Sequence, residues 1–341
     1  MLKLYFEDSL IKTNDYLSFL VPILIPDKHI WESELQISNW YNTKMLIERT
    51  DNKQESDYFV FPVYFNLDLF DELKSLSIDA KALNKKVLVF YTSDIEDYID
   101  INDNIIWFKR SLNCFPQNEY SLPAFPNNLT YEVTLDDIDK SIYKSISIYT
   151  YSNYYNLKTF LLYYCLQFSR IFFSITFIRK LLLKTKNEHR YHLLTTLIKY
   201  VRKIISELKK TNNINFNYIE RKTLYIDVKE KLRQEYLDNI KNSLFSLVVR
   251  NNYSFRLYEV LSLKIPLFVD TNSKLPFADE IDYKSLFIYV PFSDIKNIKY
   301  VFEFYEKNKN NLVNIENEIR KIYLNYFVME KYYEKIISKL S

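Results

Sequence analysis

The chain of 341 residues contains no glycine. Average usage predicts about 24 glycines at this length, far too many for zero to be an accident of composition. Glycine fills left-handed backbone positions and lets a main chain come close to a phosphate, so its absence removes the ordinary means of building a phosphate loop. Cysteine is almost as scarce: Cys114 and Cys165 are the only two. Far apart in sequence, they read as unrelated reduced thiols in a reducing compartment. The three histidines, His29, His189 and His192, have no cysteine or acidic neighbours that would complete a zinc pattern. No run of eighteen uninterrupted apolar residues occurs, so no transmembrane helix is expected. The opening "MLKLYFEDSLIKTNDYLSFL" lacks the basic-then-apolar order of a signal peptide, and the expected compartment is the cytoplasm. Charge of one sign is also lacking, with 46 basic against 43 acidic residues. That balance argues against a dedicated nucleic-acid binder.

What remains is rich in apolar residues, 48% of the chain, enough for sizeable cores and about two domains. The first block alternates short apolar runs with polar, helix-like segments. "DYFVFPVYF" (Asp57–Phe65), "KKVLVFYTSD" (Lys85–Asp94) and "NIIWFKRS" (Asn104–Ser111) read as strands. The two prolines of "LPAFPNN" close this block. The next begins at "KSISIYTYS" (Lys144–Ser152). Further on, "NINFNYIE" (strand), "KEKLRQEYLDNIKNS" (helix) and "LFSLVV" (strand) follow one another. The tail from Asp294 to Ser341 reads as helix throughout. Strands alternating with helices predict parallel α/β domains: residues 1–143, residues 144–300, and terminal helices over 301–341, in a two-lobed enzyme with a cleft. The apolar stretch from Leu157 to Lys210 carries basic residues at Arg170, Arg179, Lys180, Lys184 and Lys186. It reads as a buried helix pair with exposed lysines; peripheral contact with an anionic membrane surface at its inner face is the second reading.

The segment "VVRNNYSFRLYEVLSLKIPLFVD" (Val248–Asp270) reads as strand, polar loop, helix and strand. In a parallel sheet, ligands sit beyond the carboxyl ends of strands, beside helix amino termini. Arg250 is delivered to that edge, Asn252 or Ser254 can cap the helix, and Arg250 and Arg256 bring forked donors matched to phosphate oxygens. Helical spacing turns Leu257, Val260 and Leu261 toward the sheet. Arg256 and Glu259, three apart, share another face that can look into a cleft or form a surface pair.

These residues carry a resemblance. "R-N-N-Y-S-F-R-L-Y-E-V-L-S-L-K-I-P-L-F-V-D", followed by "L-P-F-A-D-E-I-D-Y", resembles the carboxyl half of exostosin-like (family 47) glycosyltransferases. That pattern runs as an arginine loop, S-x-R-x-x-E-x-L, I-P-V with an acidic residue, L-P-F, then I-D/W. Ser254, Arg256, Glu259, Leu261, Ile265, Pro266, Asp270, Leu275, Pro276, Phe277 and Ile281 match it. "ESDYFVFPVYF" looks like the family's amino-terminal strand motif. The resemblance is specific over Tyr236–Val290 and collinear, more weakly, over most of the rest. The match needs one-residue gaps where the family has glycine, as after Arg250 and between Leu263 and Lys264. The resemblance thus leads us to expect that glycines are missing from the sequence rather than replaced.

The resemblance implies a GT-B architecture, two Rossmann-like domains facing a central cleft with a carboxyl-terminal helix crossing back. It also implies transfer of a sugar from a nucleotide-sugar co-substrate, UDP-linked, to a hydroxyl of a growing glycan, with no metal and no other cofactor. Within that expectation Arg250 and Arg256 stabilise the leaving phosphates, Ser254 contacts phosphate or caps the helix, and Glu259 holds ribose. Asp270 meets the donor sugar or shapes its pocket. For inverting transfer, Asp94, just beyond the strand "VLVFY", is the candidate base. A fucosyltransferase-like enzyme with a GDP-linked donor and a non-catalytic glycan-binding scaffold are the alternatives.

Overall fold

The structure is a computed structural model that describes residues 2–7, 9–10, 47–63, 65, 67–91, 103–109, 119–123, 145–151, 202–210, 215–221, 229–249, 255–270, 275–297 and 300–340. The chain divides into two compact units, one of residues 1–125 with 324–341 and the other of residues 126–323. Each is α/β and built on a parallel sheet.

The sheet of the first unit has six strands: β1 (Leu2–Phe6), β2 (Ile47–Thr50), β3 (Tyr58–Val60), β4 (Lys86–Tyr91), β5 (Ile105–Lys109) and β6 (Glu119–Ser121). They lie in the order β2-β1-β3-β4-β5-β6, each pair parallel. β3 stops before Pro62, as a residue without a backbone N–H requires in a central strand. Because side chains alternate, Phe59, Val87, Val89 and Trp107 share one face. There they pack on Leu73, Leu76 and Ala80 of helix α1 (Phe70–Ala82). Each of the buried valine, leucine and phenylalanine side chains among them contributes about 1.5–3 kcal/mol. Tyr58 points to the opposite face, where its hydroxyl donates to the Leu340 carbonyl at 2.6 Å.

The end of α1 shows how this chain turns without glycine. The N–H of Asn84 donates to Lys81 O and that of Lys85 to Ala80 O, the paired bonds of a Schellman motif. Asn84 occupies the left-handed position with φ 57°, where glycine is the usual occupant. Asn84→Gly is therefore expected to stabilise the first unit by about 0.5–1 kcal/mol. The check is the urea midpoint; a midpoint unchanged or lowered contradicts it. The other non-glycine residue at positive φ among the described residues is Phe277, at 53°. It precedes a turn in which the N–H groups of Glu280 and Ile281 both donate to its carbonyl.

The second unit holds β7 (Ser145–Tyr151), α2 (Arg202–Leu208), β8 (Asn215–Arg221), α3 (Lys229–Lys241), β9 (Phe245–Val249), α4 (Phe255–Leu261), β10 (Ile265–Asp270), α5 (Tyr283–Leu286) and β11 (Ile288–Pro291). After these come α6 (Tyr300–Asn308) and α7 (Leu312–Ile322). Its five strands run parallel in the order β11-β10-β9-β7-β8. Leu257, Val260 and Leu261 of α4 are buried, as their spacing predicts, and Tyr258 joins them. Leu263 and Lys264 follow one another directly, and both N–H groups donate to the Val260 carbonyl. After α7 a π-helical turn, Tyr323–Phe327, leads into α8 (Met329–Leu340). The boundary between the units falls within that turn. The helical tail expected from sequence is thus three helices, and the last belongs to the first unit.

No helix among the described residues is long and apolar enough to cross a membrane. The basic stretch from Leu157, both cysteines and all three histidines lie outside the described residues, α2 excepted.

Candidate functional site

In the second unit the chain moves from β7 to β8 on one side, then builds β9, β10 and β11 on the other. Strand order therefore reverses between β7 and β9. In open parallel sheets the ligand crevice lies outside the carboxyl ends of the strands at such a point. The ladder there is short. β7 and β8 pair from Ser145↔Asn215 to Tyr151↔Arg221, whereas β7 and β9 pair only at Ile146↔Phe245 and Ser147↔Ser246.

Arg256, in the first turn of α4, closes the wedge where that pairing ends. Its Nε donates to the Leu247 carbonyl at 2.8 Å. Its Nη2 faces the Ser147 carbonyl at 3.3 Å and the hydroxyls of Ser147 and Ser246, both at 3.0 Å. The two serine hydroxyls are 2.6 Å apart. Its Nη1 is buried without a hydrogen-bond partner among the described residues. A buried charged donor left unpaired is costly, and such an atom is a natural point for an anionic ligand.

Two residues of α3, three apart on one helical face, complete the cluster. The Tyr236 ring lies 5.2 Å from the Arg256 guanidinium carbon and 5.5 Å from that of Arg233. Arg233 Nη1 donates to Glu259 Oε1 at 2.7 Å, and the Tyr236 hydroxyl donates to Oε2 at 2.5 Å. Glu259 is only 6% exposed. Burial pushes the Tyr236 phenol far above its usual range; the Arg256 charge opposes the shift and the Glu259 charge adds to it. Tyr236 is therefore a neutral donor at any physiological pH. Two guanidinium groups and one carboxylate leave the cluster with a net charge of about +1.

Of the residues singled out from sequence, Arg256 and Glu259 meet here, but not as a pair. Arg256 turns back across β9, and Glu259 is gripped by α3. Asp270 ends β10 in register with Pro291 of β11, at the carboxyl edge, and its side chain lies outside the described residues. So do Arg250, Ser254 and Asp94. With seven residues, α4 offers little macrodipole, and the positive charge comes from arginine side chains. Sequence reasoning did not single out Arg233, Tyr236, Ser147 or Ser246. The signal for the serines was present: Ser147 sits between Ile146 and Ile148, and Ser246 between Phe245 and Leu247, each flanked by buried apolar residues. Among the described residues, no group of three or more His, Cys, Asp or Glu could hold a metal ion.

No model of a known protein family matches the chain, and no curated protein matches it.

Proposed function

We propose that this protein is a glycosyltransferase of GT-B architecture, moving a sugar from a nucleotide-sugar donor to a hydroxyl of a glycan acceptor. The second unit holds the donor. The observation that carries the reading is the Arg256 guanidinium at the strand-order reversal, with Nη1 buried and unpartnered among the described residues. The exostosin-like pattern over Tyr236–Val290 supports it, since Arg256 and Glu259 of that pattern fall in one cluster. Arg256 binds a phosphate oxygen of the leaving diphosphate, with Arg250 arriving from the adjoining loop and Ser254 capping α4 or meeting phosphate. Glu259 reaches a ribose hydroxyl through the acceptor sites that its bonds from Arg233 and Tyr236 leave unused, each carboxylate oxygen taking one of those bonds. Asp270 borders the sugar and Asp94 takes the acceptor proton.

Thermal shift against a panel of nucleotides tests this. At a hundredfold excess over Kd, a single site stabilises by about 2.7 kcal/mol. A rise with UDP but not GDP supports a UDP-linked donor, whereas the reverse points to a fucosyltransferase-like enzyme. No rise with any nucleotide or nucleotide sugar sinks the reading in favour of a non-catalytic scaffold.

A further inference from the structure

The first unit has a polar cluster of its own, at the far end of its sheet. In-register partners in a parallel sheet point to the same side. Tyr91 of β4, Lys109 of β5 and Ser121 of β6 form one such row at the carboxyl edge. Trp107 and Glu119 form the row beneath, on the same side. Lys109 Nζ donates to Glu119 Oε1 at 2.6 Å and lies 5.3 Å from the centre of the Trp107 ring. Both charged side chains are only 4% exposed. Glu119 Oε2 and Ser121 Oγ are buried, and neither has a hydrogen-bond partner among the described residues. The outer edge of β6 is capped separately, where the Tyr332 hydroxyl of α8 donates to the Ser121 carbonyl at 2.6 Å.

Two unpaired oxygens on alternate residues of one strand are an unusual expense for a buried sheet. Both can accept, the Ser121 hydroxyl also has a hydrogen to give, and beside them the Lys109 ammonium has hydrogens beyond the one given to Glu119. A hydroxyl group both donates and accepts, so it satisfies this arrangement where a pure anion or cation does not. An anion meets the Glu119 carboxylate, and a cation meets the Lys109 ammonium. We propose that the Lys109–Glu119–Ser121 cluster is a binding site for the vicinal hydroxyls of a polyol or sugar. One hydroxyl donates to Glu119 Oε2 and accepts from Lys109, its neighbour donates to Ser121 Oγ, and the Trp107 ring flanks the carbon skeleton. The site lies at the same carboxyl edge from which the loop carrying Asp94 departs β4. Its use as an acceptor subsite rests on the proposed transferase function; the binding itself does not.

The test is ¹⁹F NMR of protein labelled with 5-fluorotryptophan, the Trp107 resonance being assigned by its loss in Trp107→Phe. Methyl glycosides of glucose, galactose, mannose and xylose are titrated at millimolar concentration. The expected result is a saturable shift of that resonance by at least one glycoside. Affinity falls about tenfold in Ser121→Ala, the loss of one hydrogen bond, and binding is lost in Glu119→Gln. Ser121→Ala removes an oxygen without a partner among the described residues, so its melting temperature holds or rises. It carries the test alone if Glu119→Gln fails to fold. No shift with any glycoside, or one unchanged in Ser121→Ala, overturns the proposal. A lowered melting temperature in Ser121→Ala with no glycoside response also overturns it, showing an internal water in place of a ligand. Thermal shift with UDP on the same samples separates the two readings. A nucleotide response without a glycoside shift sinks the polyol site alone, and the converse sinks the transferase while leaving the polyol site standing.

Discussion

Arg256→Ala is expected to cut sugar transfer about a hundred- to thousandfold, the effect of removing a preorganised charge worth roughly 2.7–4 kcal/mol in the transition state. The same substitution strips the Ser147 and Ser246 hydroxyls and the Leu247 carbonyl of their shared donor. A loss of stability of about 1–3 kcal/mol per group left unsatisfied accompanies it. Arg256→Lys separates the two effects. Lysine keeps the charge but has no fork, so it cannot reach the sheet on one side and a phosphate on the other. The lysine variant should fold, as judged by near-UV circular dichroism, yet bind nucleotide and turn over poorly. Turnover within a fewfold of the parent would assign Arg256 to holding the sheet together and nothing more.

The second large effect is at Lys264 and Glu316, an ion pair at 3.3 Å that is nearly sealed from water, with side chains 3% and 11% exposed. It ties α7 to the amino edge of the sheet, one residue before β10. Glu316→Ala leaves the Lys264 ammonium buried without a partner and is expected to destabilise the second unit by about 3–5 kcal/mol. Replacing both residues by apolar ones of similar size, Lys264→Met with Glu316→Leu, should be neutral or stabilising by about 1–4 kcal/mol, because the desolvation of two charges then disappears. The pair also carries a pH signature. Burial raises the Glu316 carboxyl above its ordinary value, and Lys264 offsets the shift only in part. A carboxyl raised on folding contributes stability that is present below the unfolded value of about 4.3 and is lost as pH rises through the folded value. Relative to Glu316→Gln, the parent should gain stability as pH falls into that window. Chemical denaturation of both proteins across the acid range reads the difference, and a gain on raising pH would contradict the assignment.

The elements with the plainest chemical signal were the ones legible in the sequence. "VLVFY", "IIWFK" and "FSLVV" are short, apolar and bounded by polar residues, and each is a buried parallel strand. Leu257, Val260 and Leu261 are buried as their spacing requires. β2 and β6 were not legible: "IERT" and "EYS" are short and polar, and their pairing comes from neighbours distant in sequence. The candidate site divides in the same way. Arg256 stands out because arginine and glutamate three apart follow a strand and a polar loop. Its real partners, Ser147 and Tyr236, come from β7 and α3 and are brought to it only by the fold. Side-chain direction was the harder part. A residue in the first turn of a helix can face outward or fold back over the strand before it. Here the short ladder between β7 and β9 leaves carbonyl and hydroxyl acceptors for the guanidinium, and it folds back.

That short ladder has a mechanical consequence. The sheet of the second unit behaves as two plates, β7–β8 and β9–β10–β11, joined in the sheet by two residue pairs, the Ser147–Ser246 hydroxyl bond and the Arg256 side chain. Hinging one plate against the other breaks few main-chain bonds, so this line is the most compliant in the sheet, and the amides along it should exchange with solvent ahead of those between β9 and β10. An anion seated on Arg256 would stiffen that line, turning ligand occupancy into rigidity of the whole second unit.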